Sequence, residues 1–145
     1  MKTKIMMLVL FCTACTEKPL STQETQKLLG QYTWAYTPSN SDIPIELTFK
    51  DNQLGAYTSC NYMGGAYKMI EQKIVAQSFA SNAMGCPSHL EKQESFIKGF
   101  FEQPVPFQIK YASSPHPKLI FQKNQQEYSF VGTKILSKNK HPHGE

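Results

Sequence analysis

Four cysteines are the residues of this sequence most able to do chemistry, and their positions divide them into two pairs. Cys12 and Cys15 spell C-x-x-C, a spacing that indicates a redox or metal site in a cytosolic protein. Here the pair directly follows an apolar run, residues 5–11, which Lys2 and Lys4 precede. This order is typical of a secretory signal peptide, and the run is too short to span a bilayer. We therefore expect export, and no thiol chemistry from this pair.

The residues around Cys15 resemble a bacterial lipobox, in which the signal is cleaved before a cysteine that is then acylated. On this interpretation residues 1–14 are a lipoprotein signal peptide, Cys15 is the lipidation site and residues 15–20 are the anchor and linker. Thr16 stands where an aspartate would retain a lipoprotein in the inner membrane. We expect an outer-membrane lipoprotein whose domain faces the periplasm, with exposure at the cell surface as the alternative.

Cys60 and Cys86 remain in the mature chain. An even number of thiols in an oxidising compartment predicts a disulfide. It would close a loop of about 26 residues and stabilise the protein by about 3 kcal/mol on the chain-entropy account. Two buried thiols are the alternative, because sequence spacing does not give the distance between two Cα atoms.

Histidine is the other residue type that could support catalysis or bind a metal. The four histidines are scattered along the chain: His89, His116, His141 and His143. The sequence contains no G-x-S-x-G, no H-E-x-x-H and no glycine-rich phosphate loop. We expect no enzyme activity, no metal and no cofactor. The formal charge of +4 comes with 15 basic residues that are all lysine, and the lack of arginine argues against a nucleic-acid partner.

The length of 145 residues and the mass of 16.5 kDa fit one domain with one hydrophobic core. Hydrophobic residues make up 40% of the chain and charged residues 18%, which excludes a wholly disordered protein. We place the folded domain at residues 21–133 and a flexible basic tail at residues 134–145. A monomer anchored to the membrane by its lipid is the expected state.

Alternation of apolar and polar residues predicts eight strands. The predicted strands are residues 32–36, 45–50, 54–58, 65–70, 73–79, 105–111, 118–122 and 126–131. Short turns such as Asp51-Asn52 connect several of them and indicate antiparallel hairpins. The predicted fold class is therefore mainly β, a small antiparallel β-barrel, closed or cracked, of about eight strands.

Two helices are predicted beside the strands. Residues 21–24 fit a capping box, and the short N-terminal helix that they open should stop at Gly30. A second helix should begin at Pro87, with another capping box at residues 88–91, and end before Pro104. It is inserted before the last three strands, so we expect it to lie across one opening of the barrel. Its predicted apolar face consists of Leu90, Ile97 and Phe101.

Two blocks of sequence resemble the META/HslJ domain family. Residues 60–67, CNYMGGAY, resemble its C-N-x-x-x-G-x-Y signature, and residues 82–87, NAMGCP, resemble a second block before a helix. That helix carries a Glu and a Phe in the family, and Glu94 and Phe96 match them here. The resemblance covers about residues 28–132 and implies a barrel with one helix and no established catalytic activity, in domains that are often secreted or lipid-anchored. Some members are associated with stress response. The motif positions are Asn61, Gly65, Tyr67, Met84 and Pro87.

Each motif residue also has a structural explanation. Asn61 suits a turn or a bond to the neighbouring loop, and Gly64 and Gly65 suit a positive φ or a β-bulge. Tyr67 suits the wall of a barrel. These explanations are favoured over a direct functional role for the motif.

Two non-enzymatic functions fit these observations. The first is an envelope interaction module that binds an unknown partner protein, and it predicts an exposed apolar patch around Phe100 and Phe101. The alternative is a barrel that binds an apolar ligand such as an acyl chain, either in its interior or in a groove beside the helix. Binding in the interior predicts an internal void lined by aromatic side chains. Small barrels are usually filled by their own side chains, which favours the first function.

Overall fold

The eight predicted strands form one closed antiparallel barrel in the computed structural model, which describes residues 18–82 and 85–136. This confirms the predicted fold class. The signal peptide, Cys15, Met84 and the last nine residues of the tail lie outside the described residues. In chain order the elements are α1 (Thr22–Gln31), β1 (Tyr32–Tyr36), β2 (Ile45–Lys50), β3 (Gln53–Tyr57), β4 (Tyr62–Ile70), β5 (Lys73–Ser81), α2 (Ser88–Phe100), β6 (Val105–Lys110), β7 (Lys118–Lys123) and β8 (Gln126–Lys134).

Three two-residue turns set the register of the barrel. The turn between β2 and β3 has φ of 50° at Asp51 and 60° at Asn52. The β4–β5 turn and the β7–β8 turn, at residues 71–72 and 124–125, also have positive φ at both central residues. Positive φ at both positions is the type I′ geometry, whose twist matches that of the flanking strands.

Large side chains fill the interior of the barrel. Every second residue of the strands points inward, so a run such as Ile45, Leu47 and Phe49 is buried on one face. Trp34 is fully buried, and its indole N–H donates a hydrogen bond of 3.0 Å to the carbonyl oxygen of Leu29 at the end of α1. Phe121 and Phe130 pack edge to face beside each other with ring centroids 5.5 Å apart. These side chains occupy the space that an acyl chain would need.

Two neighbouring strand pairs overlap only in part. β5 and β6 pair at two positions, Lys73 with Pro106 and Ile74 with Val105. β1 and β8 pair between residues 32–35 and 131–134, although β8 begins five residues earlier, at Gln126. The barrel is closed, but within residues 18–82 and 85–136 each of these two strand pairs leaves a length of strand without a neighbour on one side.

The first capping box is present as predicted. The Ser21 hydroxyl accepts from the Glu24 amide at 3.2 Å, and the Glu24 carboxylate accepts from the Ser21 amide at 2.8 Å. The helix continues past Gly30 to Gln31. The second capping box is wrong, because Pro87 and not Ser88 occupies the N-cap. The carbonyl oxygen of Pro87 accepts hydrogen bonds from the amides of Leu90 and Glu91 at 2.9 and 3.1 Å, and no side chain caps the helix.

Phe100 and Phe101 do not form the predicted exposed patch. Their exposed fractions are 1% and 2%. Phe101 follows the last residue of α2 and turns inward, where its ring centroid lies 5.5 Å from that of Phe79 and 5.8 Å from that of Phe121. Both rings are buried because they fill the end of the barrel on which α2 packs, so this end is closed by helix side chains.

Lys123 stabilises the C-terminal end of α2. Its ammonium group donates to the carbonyl oxygens of Gly99 and Phe100, both at 2.6 Å. These carbonyls have no partner within the helix, and a cation there also opposes the negative end of the helix dipole. Burial lowers the pKa of Lys123, and Glu102 partly opposes that shift.

We expect Lys123→Met to lower the free energy of unfolding by about 1–2 kcal/mol, because two carbonyl groups lose a charged donor. Urea denaturation measures the change. Lys68→Met is the control, since Lys68 is exposed on β4 and should change stability by less than about 0.5 kcal/mol. Equal midpoints for the two variants would show that the Lys123 contact adds nothing to stability.

Candidate functional site

The predicted disulfide between Cys60 and Cys86 is present. The two Cα atoms lie 6.0 Å apart, and the bond spans 26 positions of sequence. It joins the loop between β3 and β4 to the segment that leads into α2. The alternative of two buried thiols is therefore wrong, and the first role of the motif cysteines is to attach the beginning of α2 to the barrel.

Asn61 lies beside this disulfide and contacts α2. Its side chain is 2% exposed, and its amide donates to the Glu94 carboxylate at 2.7 Å. The same amide nitrogen lies 3.1 Å from the Cys86 sulfur. The Ser81 hydroxyl donates to the other carboxylate oxygen of Glu94 at 2.6 Å. Asn61, Ser81, Glu94 and the disulfide, which we call the Glu94 cluster, hold α2 against β4 and β5.

The Glu94 cluster favours an ionised carboxylate. The hydrogen bond from Ser81 and then that from Asn61 lower the pKa of Glu94, and desolvation offsets part of the shift. An ionised carboxylate only accepts hydrogen bonds, and it accepts two strong ones here. The arrangement therefore resembles a structural anchor more than a proton-transfer site.

This shift predicts how stability depends on pH. The pKa of Glu94 in the folded protein lies below its ordinary value of 4.5, so its contribution is present above the unfolded pKa and is lost as pH falls through the folded pKa. The free energy of unfolding should therefore decrease between about pH 6 and about pH 3, and we expect a smaller decrease in Glu94→Gln than in the parent. Urea denaturation across this range measures it. Glu91→Gln removes a charge from an exposed position of the same helix and should keep the parent's slope.

The remaining motif residues have structural roles. A Cβ atom at Gly65 would clash with the backbone carbonyl oxygen of Gln77, at the point where the β4–β5 register shifts. None of the described glycines has a positive φ, so the bulge and not the positive φ explains Gly65. Tyr67 is buried in the barrel wall, edge to face with Phe49 at 5.2 Å, and burial raises its pKa. Pro87 is the N-cap of α2.

A groove of about 680 Å³ lies between α2 and the loop of residues 37–44. Its apolar surface includes the half-buried rings of Tyr36, Phe96 and Tyr128, whose centroids are 5.6–6.3 Å apart. We call this surface the aromatic triad. The polar lining consists of Ser39, Asn40, Ser41, Asp42, His89, Lys92, Gln93 and Gln126. This mixture of aromatic surface and polar groups is typical of a binding site.

Gln93 holds the loop of the groove in place. Its side chain is buried and donates to the carbonyl oxygen of Ile43 at 2.8 Å. The Ser41 hydroxyl lies 3.4 Å from the Gln93 side-chain oxygen and accepts from the Ile43 amide at 3.1 Å. Gln93 and Glu94 are adjacent on α2, so one turn of helix fixes both the Glu94 cluster and the groove.

The sequence predicts a groove beside the helix as one possible site for an apolar ligand, but not which residues line it. Tyr36 and Phe96 are predicted only as members of a large set of aromatic residues that would suit a binding surface, and no sequence pattern singles out Gln93. Pro38 and Pro44 stand at the two ends of a polar loop, and they are the sequence feature that could have indicated an ordered loop at this side of the groove. Within the described ranges, no cluster of three or more His, Cys, Asp or Glu side chains could hold a metal ion. The same residues include no helix long and apolar enough to cross a membrane.

Comparison with known proteins identifies similar domains. The chain matches the META domain over residues 24–134. One protein whose structure was solved by NMR is 17% identical, with a TM-score of 0.57 over 73% of this chain and 92% of that one. A second NMR structure, of a protein from Burkholderia xenovorans, is 13% identical, with a TM-score of 0.54 over 86% and 94% of the two chains. At these identities the likeness shows the fold alone. No curated protein matches the chain.

Proposed function

Because this chain belongs to the META domain family, we propose that it is a non-enzymatic binding module of the cell envelope, whose groove beside α2 receives a partner protein. The groove carries the proposal, since the aromatic triad offers apolar contact at its floor and polar side chains line its rim. Interfaces use aromatic residues in this way, with polar groups around them. The proposed contact surface is therefore the groove, and not an exposed patch at Phe100 and Phe101.

The fixed shape of the groove supports the same function. Gln93 holds the loop to α2, and the disulfide and Glu94 hold α2 to the barrel. A preformed site loses less conformational entropy on binding than a mobile one. Lipidation at Cys15, outside the described residues, would place the module at the outer membrane close to other envelope proteins. An envelope-stress role would follow if the partner is a protein made or exposed under stress.

The alternative of an acyl chain inside the barrel has less support. The inward positions are occupied by buried side chains, among them Trp34, Phe121 and Phe130. A ligand there would have to displace packed aromatic rings, which costs several kcal/mol per ring. The groove beside α2 requires no such rearrangement, so an apolar ligand bound in the groove is the remaining form of this alternative.

Site-specific photo-crosslinking in the native cell tests the proposal. A photoreactive amino acid at Asn40, on the rim, should give a discrete protein adduct, and mass spectrometry of the adduct identifies the partner segment. The matched control carries the same amino acid at Lys68, which is exposed on β4 outside this groove. No adduct at Asn40, or the same adducts at both positions, would contradict a partner in the groove.

A further inference from the structure

One side of β8 has an unpaired edge at the groove. β8 pairs with β7 from Gln126 to Val131, but it pairs with β1 only from Val131 to Lys134. β1 ends at Tyr36, and the chain then leaves the barrel as the loop of residues 37–44. In the described part of the chain, residues 126–129 of β8 therefore have no neighbouring strand on the β1 side.

The hairpin register shows which backbone groups face that side. A two-residue turn makes Lys123 and Gln126 a hydrogen-bonded pair, so Gln126 and Tyr128 direct their N–H and C=O groups toward β7. Glu127 and Ser129 direct their N–H and C=O groups toward the other side of β8, where β1 has ended. No backbone hydrogen bond from a described loop or turn reaches these two residues. The edge thus offers two donors and two acceptors.

This edge borders the groove. Tyr128 and Gln126 line the groove from β8, Tyr36 lines it from the end of β1, and residues 38–43 line it from the loop. An extended chain laid along the edge would run through the groove, and every second side chain would point toward the aromatic triad. β5 also has an unpaired edge beyond Ile74, but a positive φ at Ser78 interrupts it.

We propose that the groove recognises its partner by β-strand addition. An extended segment of about four residues pairs with Glu127 and Ser129 and inserts one apolar side chain among the rings of the aromatic triad. This inference rests on the proposed function and names the chemistry of the partner. A partner helix satisfies its own backbone groups and would leave the β8 edge unused, so the unpaired edge favours an extended segment.

A short synthetic peptide tests the pairing on the full chain. The probe alternates threonine and valine around a central phenylalanine. Two N-methylated forms of the probe carry the same side chains. In one form the amides of the odd-numbered residues are methylated, and in the other form the amides of the even-numbered residues are methylated. We expect one register to abolish binding and the other to bind, because only one set of amides faces β8. NMR should show slowed hydrogen exchange at the Glu127 and Ser129 amides when the unmethylated peptide binds.

Ser129→Pro removes one edge donor from the protein, and proline is accepted at strand edges. We expect it to weaken peptide binding by about tenfold or more, as for loss of a strong hydrogen bond. Ser129→Ala keeps the amide and should bind as the parent does. Two results on the parent protein would each overturn strand addition. One is equal binding of both N-methylated peptides, and the other is unchanged hydrogen exchange at the Glu127 and Ser129 amides when the unmethylated peptide binds.

Failure of this inference and failure of the proposed function have different signatures. If Asn40 gives its adduct at the parent's yield in the Ser129→Pro variant, a partner uses the groove without the β8 edge, and strand addition is wrong. If Asn40 gives no adduct in the parent, the proposed function is wrong. A concentration-dependent dimer that Ser129→Pro abolishes, measured by sedimentation, would make a second copy the occupant and would also overturn a separate partner segment.

Discussion

Replacing Cys60 and Cys86 together by serine is expected to lower the free energy of unfolding by about 3 kcal/mol and the melting temperature by about 10 °C. The disulfide closes a loop of 26 positions, and opening it returns conformational freedom to the unfolded chain. In the folded state the bond also attaches the segment before α2 to the loop before β4. Thermal and urea denaturation under non-reducing conditions measure the loss.

Reduction of the parent protein provides the matched control. Dithiothreitol should lower the parent's stability to about that of the double variant and leave the double variant unchanged. Cys60→Ser alone leaves a thiol at Cys86, within contact distance of the Asn61 amide. This single variant should be no more stable than the double variant. A double variant that melts with the untreated parent would show that the disulfide contributes nothing to stability.

The fold was predictable because its information is local. Alternation along each strand and the short turns, such as Asp51-Asn52 and the turn at residues 124–125, specify antiparallel neighbours without knowledge of distant contacts. The register of the hairpins then follows from turn length. The boundary of α2 was predictable from Pro87, but its cap was not, because the capping box and a proline N-cap differ by a single position.

The candidate site was less predictable because its contacts are distant in sequence. The cysteine pair could be inferred from compartment and number alone. The contact of Asn61 with Glu94 spans 33 positions, and that of Gln93 with Ile43 spans 50. No periodic pattern marks such pairs. The unpaired edge of β8 depends on β1 ending at Tyr36, a difference of a few residues in strand length that propensity does not determine.

Phe100 and Phe101 show where the sequence argument failed. The predicted apolar face of Leu90, Ile97 and Phe101 leaves Phe100 outside it, and a ring outside the buried face of a helix is expected to meet solvent. The barrel's end, however, needs large side chains to fill it, and both rings are used there. Phe101 belongs to the predicted apolar face, and it is buried as that face requires although it lies just after the last residue of α2.

Phe100→Ala is therefore expected to lower the free energy of unfolding by about 3–5 kcal/mol. Its ring is 1% exposed and packs against Phe121 at 5.4 Å, Tyr128 at 5.1 Å and Phe96 at 5.6 Å. Removing it leaves a cavity where α2 closes the barrel. Urea denaturation measures the loss, and Lys98→Ala, exposed on the same helix, should change stability by less than about 0.5 kcal/mol.

The same substitution separates a structural role from a binding role. Tyr128 and Phe96 belong to the aromatic triad and rest on Phe100, so a cavity beneath them should also weaken binding in the groove. Phe100→Leu keeps most of the apolar volume and should recover most of the stability and binding together. If Phe100→Ala kept full stability and lost binding, the ring would be a contact surface after all. Parallel loss of both quantities, with parallel recovery by leucine, is the result expected of a buried ring that supports the groove from below.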